Sequence, residues 1–327
     1  MGDCAERFQD CTGEIVESKA ALLTNCAELL EGQFNLPVLK VSRIAGQYSK
    51  PRSADYETID GEQVLCYRGD SVNDIAKNAR QHDPKKILET YHRSAATLNY
   101  LRAITNKDKI YSSHEGLLME YESALTRKFH DKYYDLSGHF IWIGERTRSL
   151  DQGHMNLFSG LENPVGVKVG GVKSEEEFVQ LNKKLNPKNE PGKLVIITRC
   201  GVKKVAEVLL KLIEIKQKHK LNFTWVSDPM HGNTFTKNGF KTREYSTLFE
   251  EVVLVEQELR KAGERLGGVH LESTPDDVTE CLGGKETKVA EGDLPKAYTT
   301  YCDPRLNNRQ CVDFIKELGD YLRINKF

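Results

Sequence analysis

Apolar positions in this chain follow two rhythms that alternate along its length. Between Ser18 and Phe34, Leu22, Leu23, Cys26, Leu29 and Leu30 recur at spacings of three and four, which places them on one stripe of a helix. The same period returns in Val205, Val208, Leu209, Leu212 and Ile213, opposite lysines and glutamates. It returns again in Leu248, Phe249, Val252, Val253 and Leu259, and in Val312, Phe314, Ile315, Leu318 and Leu322. The stretch TPDDVTECLGG sets Thr274 and Asp277 at capping-box spacing and closes on glycines, which predicts a short capped helix.

Short β-rich runs lie between these helices: PVLKV (37–41), HFIWI (139–143), PVGVKV (164–169), LVIIT (194–198), NFTWV (222–226) and GVHL (268–271). AYTTYC (297–302) is a weaker seventh. Strands that alternate with helices pair in parallel, and seven or eight such units predict a (β/α)8 barrel. No internal repeat, low-complexity tract or linker interrupts the pattern, so residues 1–327 read as a single α/β domain.

Composition narrows the function classes. A hydrophobic fraction of 39% fits a soluble globular protein, and no apolar run is long enough to cross a bilayer. A net charge of -1 excludes a globally basic nucleic-acid binder, so an anionic ligand needs cations gathered locally. The 8 cysteines are scattered without a C-x-x-C pair. That predicts free thiols in a reducing, cytoplasmic setting and excludes finger-type structural zinc. The RGD at Arg68 to Asp70 reads as a turn.

In barrels of this kind chemistry sits where strands end and loops begin. Arg43 follows PVLKV, and the loop GQYSKPRS then brings Lys50, Arg52 and Ser53. GERTR after HFIWI supplies Glu145, Arg146 and Arg148, PVGVKV carries Lys168, and Arg199 follows LVIIT. Asp228 and His231 come after NFTWV, Glu272 after GVHL and Asp303 after AYTTYC. A single charge after a strand is ordinarily a solvated loop residue, and a lone histidine is ordinarily a structural one. Recurrence at nearly every strand end points instead to a convergent site.

Two groups emerge. Arg43, Lys50, Arg52, Arg146, Lys168 and Arg199 suit phosphate and carboxylate oxygens, arginine as a bidentate fork and lysine as a point charge. His231, Glu272 and Asp303, joined by Cys4, suit a borderline first-row divalent ion better than magnesium or calcium. The residues alone describe an enzyme or binder for a polyanion with a metal.

The chain closely resembles the class II (plant-type) 3-deoxy-D-arabino-heptulosonate 7-phosphate (DAHP) synthases. The matching stretches are GDCAE, RIAGQYSKPRS, YRGDSVN, SAATLNYLRA, SHEGLL, WIGERTR, NPVGVKVG, DPMHGNT, TECLGG and CDPRLN, in order from residue 2 to residue 307. The resemblance implies condensation of phosphoenolpyruvate with erythrose 4-phosphate and water, the first step of the shikimate pathway, on a (β/α)8 barrel. It implies a divalent ion, manganese or cobalt, held by Cys4, His231, Glu272 and Asp303. It assigns phosphoenolpyruvate to Arg43, Lys50, Glu145, Arg146, Lys168 and Arg199, with Lys50, Glu145 and Arg146 closest to the chemistry. Arg52 and Ser53 fall to the phosphate of erythrose 4-phosphate.

The sequence also departs from that family. Its members carry an apolar strand before GDCAE, where this chain has one methionine, so an amino-terminal truncation and a missing first strand are expected. A non-catalytic relative that binds phosphate ligands or a partner chain is the alternative, and an amino-DAHP synthase stays open. Only ITNKDKIYS separates SAATLNYLRA from SHEGLL, which resembles the short, phenazine-type subclass without aromatic feedback. Neither nucleic acid nor membrane is an expected partner. A homo-oligomer is left open, as is a plastid location should a transit peptide lie upstream.

Overall fold

The computed structural model describes residues 7–105 and 109–325. Seven strands run parallel in sequence order: β1 (Lys40–Ser42), β2 (Ile110–Glu115), β3 (Phe140–Ile143), β4 (Val165–Val169), β5 (Leu194–Thr198), β6 (Thr224–Ser227) and β7 (Leu266–Val269). The helices are α1 (Gly13–Phe34), α2 (Lys86–Thr105), α3 (Met119–Leu125), α4 (Gly153–Ser159), α5 (Glu175–Leu185), α6 (Val205–His219), α7 (Tyr245–Lys261) and α8 (Asn308–Ile324). This is the α/β layout of a (β/α)8 barrel with seven strands described. Among the described residues no pairing joins β1 to β7. The expectation of a missing first strand concerns the chain ahead of Arg7, outside the described residues.

Strand period divides the two faces of the sheet. Val165, Val167 and Val169 of β4 join the large apolar cluster shared with Phe178, Leu212, Leu248 and Phe314 of the surrounding helices. Gly166 and Lys168 take the opposite, inner face. A Cβ at Gly166 would stand 2.7 Å from the Phe140 ring and 2.9 Å from the Trp142 Cβ, so glycine keeps room for those aromatics. Helix starts are chemically marked. Ser174 accepts from the Glu177 amide ahead of α5, and Asn307 and Gln310 form a reciprocal capping box at α8.

Three expectations need correction. β2 went unseen because IYSSHE is polar; Ser112, Ser113 and His114 are nevertheless buried, and Ser112 receives His139 as a partner at 2.9 Å. AYTTYC forms no strand. The buried Glu280 carboxylate accepts from the Thr299 amide at 3.1 Å and the Thr300 amide at 2.8 Å, capturing donors that a ladder would use. TPDDVTECLGG forms no helix either. Thr274 Oγ1 accepts from the Asp276 amide rather than pairing with Asp277, and Thr279 N bonds across to Ala297 O at 3.1 Å.

Among the described residues, three hairpins decorate the barrel. Tyr56–Ile59 pairs with Glu62–Leu65 after β1, and Thr126–Phe129 with Lys132–Asp135 before β3. Phe235–Lys237 pairs with Phe240–Thr242 after β6, turning at Asn238 and Gly239 with φ of 50° and 83°. Arg68 to Asp70 is a turn as expected, with Gly69 at φ 92° and Tyr67 Oη donating to Asp70 at 2.9 Å.

Candidate active site

Loops at the carboxyl ends of the strands enclose a polar cavity of about 480 Å³. Arg43, Lys50, Arg52, Ser53 and Glu145 line it, as do Arg146, Lys168, Arg199, His231 and Asp303. Glu272 stands behind them, its Oε1 3.3 Å from His231 Nε2. Cys4 lies outside the described residues. Arg148 turns away from the cavity to bond Glu145 at 2.9 Å and the Gly171 carbonyl at 2.6 Å, so it shapes the loop instead of lining it.

The metal-type donors converge. Ligating atoms of His231, Glu272 and Asp303 all lie within 4.8 Å of one another. Asp228, fully buried at the end of β6, receives the other side of the imidazole, with His231 Nδ1 2.8 Å from its Oδ2. A proton on Nδ1 then leaves the Nε2 lone pair facing Glu272, the tautomer a metal needs. One imidazole and two carboxylates are a donor set for a borderline divalent ion, so the residues present fit one.

Cations interlock with these acids. Lys50 reaches Asp303 and stands 3.5 Å from Glu272 Oε1, while Lys241 from the second strand of the hairpin after β6 also reaches Asp303. Arg243, with no exposed surface, contacts Glu272 Oε2 at 2.7 Å and bonds Thr234 Oγ1 and the Pro304 carbonyl. Burial opposes the charge on Glu272 and Asp303, yet His231, Lys50 and Arg243 hold Glu272 well below the carboxylate range, and Lys50 and Arg243 do so for Asp303. His231 is raised: burial disfavours its cation, but Asp228 and Glu272 outweigh that.

Trp142 lines the cationic side of the cavity. Lys168 sits 5.6 Å and Arg43 5.9 Å from its ring centroid, a pair of cations over one indole. Burial lowers the Lys168 ammonium, and its contact with Asp228 recovers part of that loss. Arg146 donates to Ser53 Oγ at 2.8 Å, joining the GERTR loop to the KPRS loop. Arg52 pairs with Glu57 of the first hairpin at 2.8 Å. Glu145 Oε2 accepts from the Gly170 amide at 2.6 Å, which fixes its carboxylate over the end of β4.

Trp142, Lys241, Arg243 and His270 escaped the strand-end reading. His270 lies edge-on to Trp142 at 5.1 Å, and burial together with Lys168 keeps it neutral, well below the usual histidine range. Trp142 and His270 look like ordinary strand residues, and only their place on the inner face marks them.

Known proteins bear on this site. The family model described as the class-II DAHP synthetase family matches residues 1–109 and 105–318. The chain belongs to that family. The phospho-2-dehydro-3-deoxyheptonate aldolase of Streptomyces coelicolor is 39% identical over 95% of this chain and 82% of its own length. The protein of the same name from Neurospora crassa is 36% identical over 98% of this chain and 82% of its own. The solved phospho-2-dehydro-3-deoxyheptonate aldolase of Francisella tularensis SCHU S4 covers 99% of this chain and 84% of its own, with a TM-score of 0.58 at 18% identity, a likeness of fold. Side chains from the stretches GQYSKPRS, WIGERTR and DPMHGNT meet in one cavity here.

Proposed function

We propose that this chain is a divalent-metal-dependent DAHP synthase in which Arg43, Lys50, Glu145, Arg146, Lys168 and Arg199 hold phosphoenolpyruvate. Arg52 and Ser53 receive the phosphate of erythrose 4-phosphate. His231, Glu272 and Asp303, with Cys4, hold manganese or cobalt. One observation carries the reading: a His–Glu–Asp trio whose ligand atoms lie within 4.8 Å of one another meets, at one cavity, cations carried by β4 and by the loops after β1, β3 and β5.

The bound ion supplies Lewis-acid polarisation of the aldehyde oxygen. Everything else falls to side chains. Lys168 and Arg43, above Trp142, and Arg199 neutralise an anionic substrate, so a second anion can enter without repulsion. Holding both substrates turns attack of the methylene carbon of phosphoenolpyruvate on the aldehyde into an effectively intramolecular step. Water then adds to the adjacent carbon, the one bearing the phosphate ester, and inorganic phosphate leaves. Glu145, held by Gly170 and Arg148, positions that water. Residues 1–327 act as one catalytic barrel domain in the cytoplasm, and no described helix is long and apolar enough to cross a membrane.

The test follows loss of phosphoenolpyruvate absorbance with erythrose 4-phosphate and added Mn2+, and assays DAHP and phosphate as products. Chelation is expected to stop turnover, and Mn2+ or Co2+ to restore it. Chelator-insensitive turnover refutes the metal reading. Metal binding without turnover identifies a non-catalytic relative, and turnover only with an imino analogue of erythrose 4-phosphate identifies an amino-DAHP synthase.

A further inference from the structure

Two of the site's loops meet away from the cavity. Residues 199–202 follow β5 and carry the Arg199 side chain; residues 228–233 follow β6 and carry His231. They touch backbone to backbone, because a Cβ at Gly232 would lie 2.1 Å from the Gly201 nitrogen, and Gly201 itself holds φ 82°. Close approach of this kind sets a spacing but supplies little to retain it.

Retention comes from behind. Glu251, on α7, is completely buried and reaches both loops at once. Its Oε1 accepts from the Gly201 amide at 3.1 Å, and its Oε2 accepts from Asn233 Nδ2 at 2.5 Å. Asn233 in turn donates to the Pro229 carbonyl at 2.8 Å, and its Oδ1 accepts from the Val202 amide at 3.0 Å. One carboxylate and one carboxamide thus fasten four points on two loops. Burial pushes the Glu251 carboxyl up to about 7, more than its amide donors recover. A carboxylate kept in so unfavourable a place, and bonded to loop amides, is a costly way to fill space. Packing alone would be served by leucine.

We propose that Glu251 is a positioning residue for the condensation. Acting through Asn233 and Gly201, it fixes the separation between the anion-binding Arg199 and the metal-ligating His231. The proposal rests on the reading that those two side chains serve phosphoenolpyruvate and a divalent ion. An outer helix thereby sets the register of two groups that approach the substrates from adjacent strands.

An exchange of amide and carboxylate tests it. Glu251→Gln sets its own N–H groups against those of Asn233, while Glu251→Gln combined with Asn233→Asp restores an acceptor facing a donor. Each protein, with wild type and His231→Ala, is titrated with Co2+ by visible absorption, then assayed for KM and kcat and unfolded by circular dichroism. Glu251→Gln is expected to weaken Co2+ about tenfold, shift its visible band and raise KM for phosphoenolpyruvate. The exchanged pair restores the contact between the two side chains but leaves the Pro229 carbonyl facing an acceptor, so it is expected to recover only part of each loss. Should Glu251→Gln not fold, Asn233→Ala cuts the same joint from the loop side and is read identically. A less stable variant with wild-type Co2+ affinity, spectrum and KM overturns the proposal, as does a folded exchange variant that recovers nothing. If His231→Ala also binds Co2+ normally, the metal assignment has failed instead.

Discussion

Asp228→Asn replaces a fully buried carboxylate that faces both Lys168 and His231. At hydrogen-bond distance, about 3 Å, opposite unit charges attract by about 5–6 kcal/mol at an effective dielectric near 20. Desolvation cancels part of that, and removing one partner of a buried pair costs about 3–5 kcal/mol. Urea unfolding at pH 7 should therefore show the variant less stable by that amount. The deficit has a pH signature. Lys168 lies below the usual lysine range through burial, and without Asp228 it falls further. A folded state that binds fewer protons than the unfolded chain gains stability as pH rises, so the deficit shrinks on the alkaline side once Lys168 sheds its proton. Activity moves the opposite way, because the ammonium that neutralises substrate is lost earlier. The alkaline limb of kcat/KM for phosphoenolpyruvate should shift down by at least about one pH unit. The asparagine amide also donates to His231 Nδ1, which forces the proton to Nε2 and weakens metal binding. Stability within about 1 kcal/mol of wild type and an unmoved alkaline limb would refute the reasoning.

Arg199→Ala and Lys168→Ala should each remove roughly 2–3 kcal/mol of transition-state stabilisation, seen chiefly in phosphoenolpyruvate dependence, and Arg52→Ala should act on erythrose 4-phosphate; equal shifts for both substrates in all three would contradict the division of the cavity. His231→Ala should lower divalent-metal affinity more than about 100-fold with far-ultraviolet circular dichroism retained, and calorimetric titration decides it. Asp135, pushed up to about 8 by burial beside Glu122, binds its proton more tightly folded than unfolded, so wild-type stability falls as pH rises from about 4 to 8. Asp135→Asn should accordingly gain melting temperature over wild type between pH 5 and pH 9, and a difference that stays constant with pH would show that Asp135 carries no such penalty.

Hydrophobic period was a faithful guide where strands bury apolar groups on both sides. LVIIT coincides with β5 residue for residue, since Leu194, Ile196 and Ile197 are all inaccessible. The guide failed at β2, where Ser112, Ser113 and His114 fill interior positions with hydrogen-bonded polar groups and leave no apolar signature. Local signals also lost to distant ones. Thr274 advertises a helix start, but Pro275, the Ala297 carbonyl and the Asn307 amide take that backbone elsewhere. The site was legible because strand ends are where this architecture collects charge. Lys241 and Arg243 stayed hidden because they arrive on and just after a hairpin inserted beyond β6, whose depth over the barrel no spacing rule reports.

Only two tryptophans occur in the chain, and they are unequally placed. Trp225 belongs to the core, its Nε1 donating to Glu264 at 3.2 Å, whereas Trp142 faces the cavity beneath the Lys168 and Arg43 cations. Positive charge held against one side of an indole alters the energy of its excited state, and an arriving anion changes that field. On the proposed reading of this cavity, Trp142 is a built-in optical gauge of anion arrival. Replacing Trp225 with phenylalanine would silence the background emitter and let stopped-flow fluorescence time anion entry before any bond is made.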